Sequence, residues 1–236
     1  MIFENKKKLI CSFTGKTEGN VDFRFDEEEG TLTNRKKIVK KLGFTLDNLY
    51  EMEQIHGSTV SIVNSKSPHL SPTTDSLVTN ISNNFLMVKT ADCFPVVFYD
   101  PVAKVVAAAH LGWRGAVEKI FLETILVLMR NFSCRTKDLL VGIGPGARKC
   151  CFDHKNFVQE KLPEWQMYIK SNKTNKTLDI PSFIIDKLVT HGVKKENIED
   201  CGICTVCNQN YFSHFRSLQK KDPEGRSAAI IGMTNN

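Results

Sequence analysis

No stretch of this 236-residue chain approaches the ~20 consecutive apolar residues that a membrane-crossing helix needs. The opening MIFENKKKLICSF has neither an apolar core nor a small-residue cleavage site. A membrane span and a secretory leader are therefore not expected, and the cytoplasm is the expected compartment. Internal repeats, low-complexity tracts and a Pro/Gly/Ser linker are also missing, which speaks against a repeat array, a disordered chain and a division into two domains. Eight cysteines are too few for a small disulfide-stapled scaffold, so the thiols point instead to burial, metal ligation or reactivity. A strong charge bias is absent too: Lys plus Arg number 32 against 26 Asp plus Glu, a net +6. The basic residues come as short scattered runs, Lys6 to Lys8, Lys40 to Lys41 and Lys220 to Lys221, which is the pattern of a solvated surface rather than of a nucleic-acid face.

What is present is an ordinary globular composition, 41% hydrophobic and 25% charged, and one domain over residues 1–236 is expected. Short apolar or alternating runs at 9–13 and 21–25, separated by GKTEGN, predict strand, turn, strand. A helix is expected from about Asn34 to Leu42, closed by Gly43. The middle of the chain predicts strands at 49–54, 59–63, 77–78, 85–89, 95–99 and 105–109. Val105 to Ala109 is a continuous apolar run, as expected of a central strand covered on both faces. After it, GWRG leads into a helical stripe of Val117, Ile120, Phe121, Thr124, Ile125 and Leu128, running to about Met129. A strand at 139–143 precedes GPGARKCCFDH, a loop by its glycines and proline. Residues 171–177, SNKTNKT, read as a polar loop, 178–191 as a helix with Pro181 in its first turn, and 227–231 as the last strand.

Three segments place metal-capable or nucleophilic side chains beside turn residues at strand edges: Gln54-Ile55-His56-Gly57, Thr90-Ala91-Asp92-Cys93, and His110-Leu111-Gly112-Trp113-Arg114-Gly115. In α/β proteins ligands collect beyond strand ends, which makes His110 the best single candidate. Read alone, His110 and His56 are each better explained as hydrogen-bonded structural histidines. Together, two imidazoles and one thiolate suit zinc with a fourth position open, although the three are far apart in sequence and match no local metal motif. The GWRG turn with Arg114 is a candidate anion site. Gly142-Ile143-Gly144-Pro145-Gly146 lacks both the GxGxxG spacing and the P-loop lysine and reads as a tight turn. Cys201, Cys204 and Cys207 recur every three residues, and Cys150 and Cys151 are adjacent. A zinc knuckle needs a matched second pair, and adjacent cysteines rarely both ligate one zinc, so free thiols are the expected state.

The segments QIHGSTV, TDSLVTN, KTADCFPVVFYDP, AAAHLGWRGAVEKI, GIGPGARKCCFDH, LDIP, CGICTVC and GRSAAIIG stand in the order found in the YfiH family, which this chain resembles from about residue 10 to residue 232. Proteins of that family were long labelled polyphenol oxidase or laccase and are now regarded as purine nucleoside phosphorylases with adenosine deaminase activity. The resemblance implies an α/β fold, a single-domain layered α/β/α sandwich with a mixed sheet, similar to some Cys-His toxin domains. It implies zinc held by His56, Cys93 and His110. It also implies adenosine, inosine, guanosine and methylthioadenosine as substrates, with phosphate as partner, no nucleic acid or membrane, and a monomer. The chain departs from the family at Phe13 to Gly19, where Lys16 stands in place of an arginine, at Leu111 in HLGWRG, and at GPGARKCC. Substrate preference is what these departures affect.

On this reading zinc lowers the proton affinity of water, Arg114 holds phosphate, Asp92 carries a proton or supports a ligand histidine, and Gln54 offers a polar contact to substrate. Capping of the next turn explains Asp92 equally well. No residue stands out as the acid that protonates the leaving purine. Two other chemistries compete. A copper polyphenol oxidase needs several coppers, and beyond the proposed pair only His69, His154, His191 and His214 remain, without paired spacing. A thiol hydrolase or amidase would use Cys93 as a nucleophile activated by His110.

Overall fold

β1 (Leu9–Phe13) opens the chain, and α1 (Glu28–Leu42) follows a turn-rich segment. The computed structural model describes residues 3, 6, 8–64, 72–152, 158–171, 176–220 and 222–235. Residues 21–25, expected as a strand, form turns. Asn20 and Asp22 hydrogen-bond the local backbone through their side chains, and Asp22 also captures Arg24, so the polar side chains outcompete strand pairing. α1 begins well before Asn34, with Glu28 and Glu29 in its first turn, where acids suit the positive end of a helix. It stops where Gly43 takes a left-handed conformation, φ 86°.

Six short strands come next: β2 (Leu49–Tyr50), β3 (Val60–Ile62), β4 (Ser76–Thr79), β5 (Phe85–Thr90), β6 (Phe94–Asp100) and β7 (Val105–Leu111). The expected single helix after GWRG is two helices, α2 (Trp113–Val117) and α3 (Ile120–Phe132), broken at Lys119, whose φ of 60° is incompatible with helix continuation. β8 (Leu140–Ile143) leads into the GPGARKCCFDH loop, of which Asp153 and His154 lie outside the described residues. β9 (Ile169–Ser171) and β10 (Lys176–Leu178) form an antiparallel pair that takes Ser171, Lys176 and Thr177 of the SNKTNKT segment, expected as a loop, into strands; residues 172–175 are not described. α4 (Ile180–Thr190) is capped by the Asp179 carboxylate, which accepts from the Ser182 N–H at 3.3 Å. β11 (Ile198–Asp200), α5 (His214–Leu218) and β12 (Ser227–Met233) complete the chain.

The strands make two mixed sheets, ordered β1-β12-β5-β2 and β11-β8-β6-β7-β4-β3, beside the β9–β10 hairpin. Side-chain alternation assigns the layers. Leu86 and Val88 of β5, Ala229 and Ile231 of β12, Val97 of β6 and Val106 and Ala108 of β7 share one core between the sheets. Their neighbours face outward: Phe85, Met87, Ala228 and Ile230 pack beneath α1, while Phe98, Val105, Ala107 and Ala109 meet α3 and α4. The mixed α/β fold is thus as the sequence implies, but the middle layer is two facing sheets rather than one. β7 is central and buried throughout, and it is antiparallel to both β6 and β4. Its unbroken apolar run comes from cover on both faces, one by helices and one by a second sheet. No helix of the described residues is long and apolar enough to cross a membrane.

Candidate metal centre

His110 stands near the end of β7, Cys93 in the turn between β5 and β6, and His56 in the loop after β2. The sheets bring these distant segments together. One nitrogen of each imidazole and the Cys93 sulfur lie within 4.8 Å of one another. Cys93 Sγ is 3.9 Å from His56 Nε2, and the two rings meet edge to face with centroids 4.7 Å apart.

The device that fixes this geometry is Asp75, fully buried just before β4. One carboxylate oxygen accepts from His110 Nδ1 at 2.8 Å and from the His56 N–H at 3.0 Å; the other accepts from the N–H groups of Gly57 at 2.7 Å and Ile55 at 3.2 Å. With its Nδ1 proton hydrogen-bonded to Asp75, His110 is left with Nε2 for the Cys93 sulfur, a nitrogen that would offer a ligand lone pair once a metal displaces its second proton. The same carboxylate gathers three successive amides and stabilises His56 in a left-handed conformation, φ 62°. The TDSLVTN segment pointed to this region, but no role for Asp75 was read from it. The signal was an aspartate immediately before a buried strand, where a carboxylate needs donors.

Gly112 supplies the remaining space. A Cβ there would lie 3.0 Å from Cys93 Sγ and 3.2 Å from a His56 ring carbon, so any larger residue would push the donors apart by some tenths of an ångström. Electrostatics reinforce the arrangement. Burial alone would disfavour the Cys93 thiolate, but the charge of His110 and hydrogen bonds from both imidazoles outweigh it and bring the thiol down to about 6. Burial likewise opposes protonation of His110, but the Cys93 charge and the Asp75 hydrogen bond hold it at about 9. Asp75 itself, despite burial, sits below the usual carboxylate range because His110 and the Gly57 amide stabilise its charge. Two imidazoles and a thiolate, already paired in charge and held by a buried carboxylate, are a donor set that suits zinc with one position left open.

His56 and Cys93 line a cavity of about 420 Å³, with His110 buried behind them. Phe94, Trp113, Phe152, Ile180, Phe215 and Leu218 give it apolar walls, and Arg114 and His214 add polar groups. Arg114 is exposed, stacks its guanidinium over Trp113 at 4.6 Å, and forms no ion pair among the described residues. His214, at the start of α5, pairs its Nδ1 with Glu224 at 3.2 Å. It had been noted only as one of the remaining histidines, since no motif links residue 214 to residue 56.

Two other expected site residues have defined partners. Gln54 does not line the cavity: its carboxamide donates to the Lys89 carbonyl and accepts from the Lys89 N–H, each at 2.8 Å, which ties the His56 loop to β5. Asp92, in a left-handed conformation beside Cys93, accepts from Thr205 Oγ1 at 2.6 Å, Ser213 Oγ at 3.1 Å and the Phe215 N–H at 2.8 Å. It thereby anchors the 205–215 segment, which supplies one wall of the cavity. The Gly144 and Gly146 amides bond the carbonyls of Pro95 and Ile203, so they form no anion cradle; these glycines let the turn pass against Phe13 and Phe94. Lys16 is tied to Asp222 and does not line the cavity. His69 and His154 lie outside the described residues.

The family described as multi-copper polyphenol oxidoreductase laccase matches residues 14–234. The chain belongs to that family. Relatives of the laccase-domain chain carry a different name. A purine nucleoside phosphorylase of Clostridium acetobutylicum is 31% identical over 219 residues, 90% of this chain and 89% of that one. The purine nucleoside phosphorylase LACC1 of Mus musculus is 28% identical over 200 residues, 78% of this chain; the match spans only 44% of the mouse protein. Among solved structures, the Bacillus licheniformis hypothetical protein YfiH superposes with a TM-score of 0.91 at 27% identity, covering 99% of this chain and 96% of that one.

Proposed function

We propose that this laccase-domain chain is a zinc-dependent purine nucleoside phosphorylase. On this reading it cleaves adenosine, inosine, guanosine and methylthioadenosine with phosphate to the free base and ribose 1-phosphate, and it also deaminates adenosine to inosine. The observation that carries the reading is the convergence of His56, Cys93 and His110 at the wall of a cavity that His56 and Cys93 line, with aromatic walls and Arg114, in a chain whose relatives are named for that activity. His56, Cys93 and His110 hold the metal. When bound, zinc supplies Lewis acidity toward a water or phosphate oxygen.

The chain's own groups account for the rest. Phe94, Trp113, Phe152 and Phe215 offer flat apolar faces to a purine, and a cavity of this size suits a nucleoside. Arg114, free of ion pairs among the described residues, holds phosphate by charge-assisted hydrogen bonds. As a phosphate oxygen bonds to the ribose anomeric carbon, the bond to the purine nitrogen breaks and its electron pair stays on the base, which then needs a proton. His214, held by Glu224 at the cavity wall, is placed to donate it. Asp92 acts by position, keeping the wall that carries His214 and Phe215 against the metal centre, because its lone pairs are engaged by three donors. Gln54 holds the His56 loop.

A specific observation also favours a thiol hydrolase: Cys93, His110 and Asp75 stand in the relation of nucleophile, base and orienting carboxylate. Zinc ligation and nucleophilic attack compete for the same thiolate. The copper oxidase reading rests on the family's description, but of the four described histidines one, His191, sits at the end of α4 bonded to the Lys187 carbonyl. Incubation of inosine with and without phosphate separates the three. Phosphate-dependent base release that requires zinc supports the phosphorylase. Phenol oxidation with copper and no base release would support the oxidase, and activity that survives zinc removal but is abolished by alkylation of Cys93 would support the hydrolase.

A further inference from the structure

The cysteines are free thiols, as expected, but four of them converge in a second sulfur cluster. Cys150 and Cys151, after β8, meet Cys204 and Cys207, and all four sulfurs lie within 4.8 Å of one another. Cys207 Sγ is 3.1 Å from Cys151 Sγ and 3.5 Å from Cys150 Sγ. Cys201, which the three-residue rhythm had grouped with them, is not part of the cluster; its sulfur accepts from the Ile203 N–H instead. A tetrahedron of thiolates about zinc, with bonds of about 2.3 Å, has sulfur-to-sulfur edges of about 3.8 Å, and the cluster needs shifts of only some tenths of an ångström to reach it.

The backbone around the cluster points the same way. The Cys204 thiol is held below its ordinary value although burial opposes this, because the backbone N–H groups of Arg148, Cys207 and Val206 and the Cys150 thiol favour its thiolate. Arg148 and Lys149, immediately before the cysteine pair, are tied to Asp200 and Asp179. Four sulfurs fill a tetrahedral coordination shell and leave no open position. This is the pattern of a structural site, unlike the three-donor centre in the cavity.

We propose that Cys150, Cys151, Cys204 and Cys207 form a second, closed metal site for a soft divalent cation, zinc, that clamps the loop after β8 to the 201–207 loop. The clamp bears on the cavity from two sides. Phe152, next to Cys151, is part of its wall, and Thr205, between Cys204 and Cys207, holds Asp92 beside Cys93. Cys150 and Cys207 are exposed, so a cation reaches the site from solvent.

Elemental analysis of the whole protein, purified under reducing conditions without chelator, tests this. Wild type should hold two zinc ions, and the triple variant His56→Ala, Cys93→Ala, His110→Ala should keep one. Cobalt added to that triple variant stripped of zinc should give the thiolate charge-transfer and tetrahedral absorption bands of a four-sulfur site. Both should vanish in the same background with Cys204→Ser and Cys207→Ser. In case those serine variants fail to fold, thiol counting gives an independent reading. Four thiols of the folded triple variant should become reactive toward a chromogenic reagent only as a strong chelator withdraws one zinc. A triple variant that binds neither zinc nor cobalt overturns the proposal, and so does a mass lower by four hydrogens after reducing purification, which would mean two disulfides.

Discussion

Replacing Asp75 by asparagine is the sharpest perturbation of the metal centre that leaves all three ligands in place. The carboxylate accepts four hydrogen bonds in full burial, two on each oxygen. An asparagine carbonyl can keep the pair from Ile55 and Gly57, but its NH₂ then faces the His56 N–H and His110 Nδ1. The His56 amide loses its acceptor. His110 recovers a partner only by moving its proton to Nε2, the nitrogen that should be a ligand. A charge-assisted bond contributes about 1.5–3 kcal/mol. With one lost and one replaced by a neutral bond, about 2–3 kcal/mol of stability should disappear, a melting temperature lower by roughly 4–12 °C for a chain of this size. Zinc affinity at the His-Cys-His centre should fall by about 10–100-fold through the tautomer change alone. Competition with a chromogenic chelator, alongside thermal melts, measures both. The pH sign follows too: the folded Asp75 value lies below the ordinary one, so its stabilisation is complete at neutral pH and is lost as pH falls through that lower value. Asp75→Asn should flatten that acid limb. Wild-type zinc affinity together with unchanged melting would refute the role assigned to Asp75.

Further outcomes follow from individual groups. Arg114→Ala should reduce phosphate-dependent turnover about 10–100-fold, equivalent to losing about 1.5–3 kcal/mol of charge-assisted contact, with zinc content and adenosine deamination much less affected; equal loss of both reactions would make Arg114 structural. In metal-free protein, alkylation of Cys93 followed by peptide mapping should accelerate as pH rises through about 6, because the thiolate is the favoured folded form above that value and is lost below it. An inflection near the ordinary thiol value would contradict the thiolate–imidazolium pair. Gly112→Ala should weaken zinc binding while leaving the fold intact, since its Cβ meets Cys93 Sγ at 3.0 Å and the His56 ring at 3.2 Å; unchanged affinity would show that the loop relaxes.

The sequence carried the strands well wherever burial set the pattern. β6, β7 and β8 were expected within one or two residues because each crosses a core with apolar side chains on both faces. Residues 21–25 misled because alternation also arises when Asn20 and Asp22 build side-chain turns. The break at Lys119 left no trace in the apolar stripe, since both helices face the same core. One sheet was expected where two face each other because a continuous apolar run reports cover on both faces without saying what covers them. His56, Cys93 and His110, whose donor atoms the fold brings together, were legible as candidates through their residue types at strand edges, whereas Asp75, His214 and the four-cysteine cluster depend on tertiary pairing between segments that no local spacing connects.

The central claim is that phosphate attacks a purine nucleoside at the His56, Cys93, His110 centre. Phosphorus NMR of zinc-loaded protein with inosine and inorganic phosphate tests it directly, read together with chromatography of the base. The expected result is ribose 1-phosphate and hypoxanthine in equal amounts, with both absent in His110→Ala. Free ribose with no phosphate ester, or intact inosine under conditions in which the protein is folded and zinc-loaded, would contradict the account.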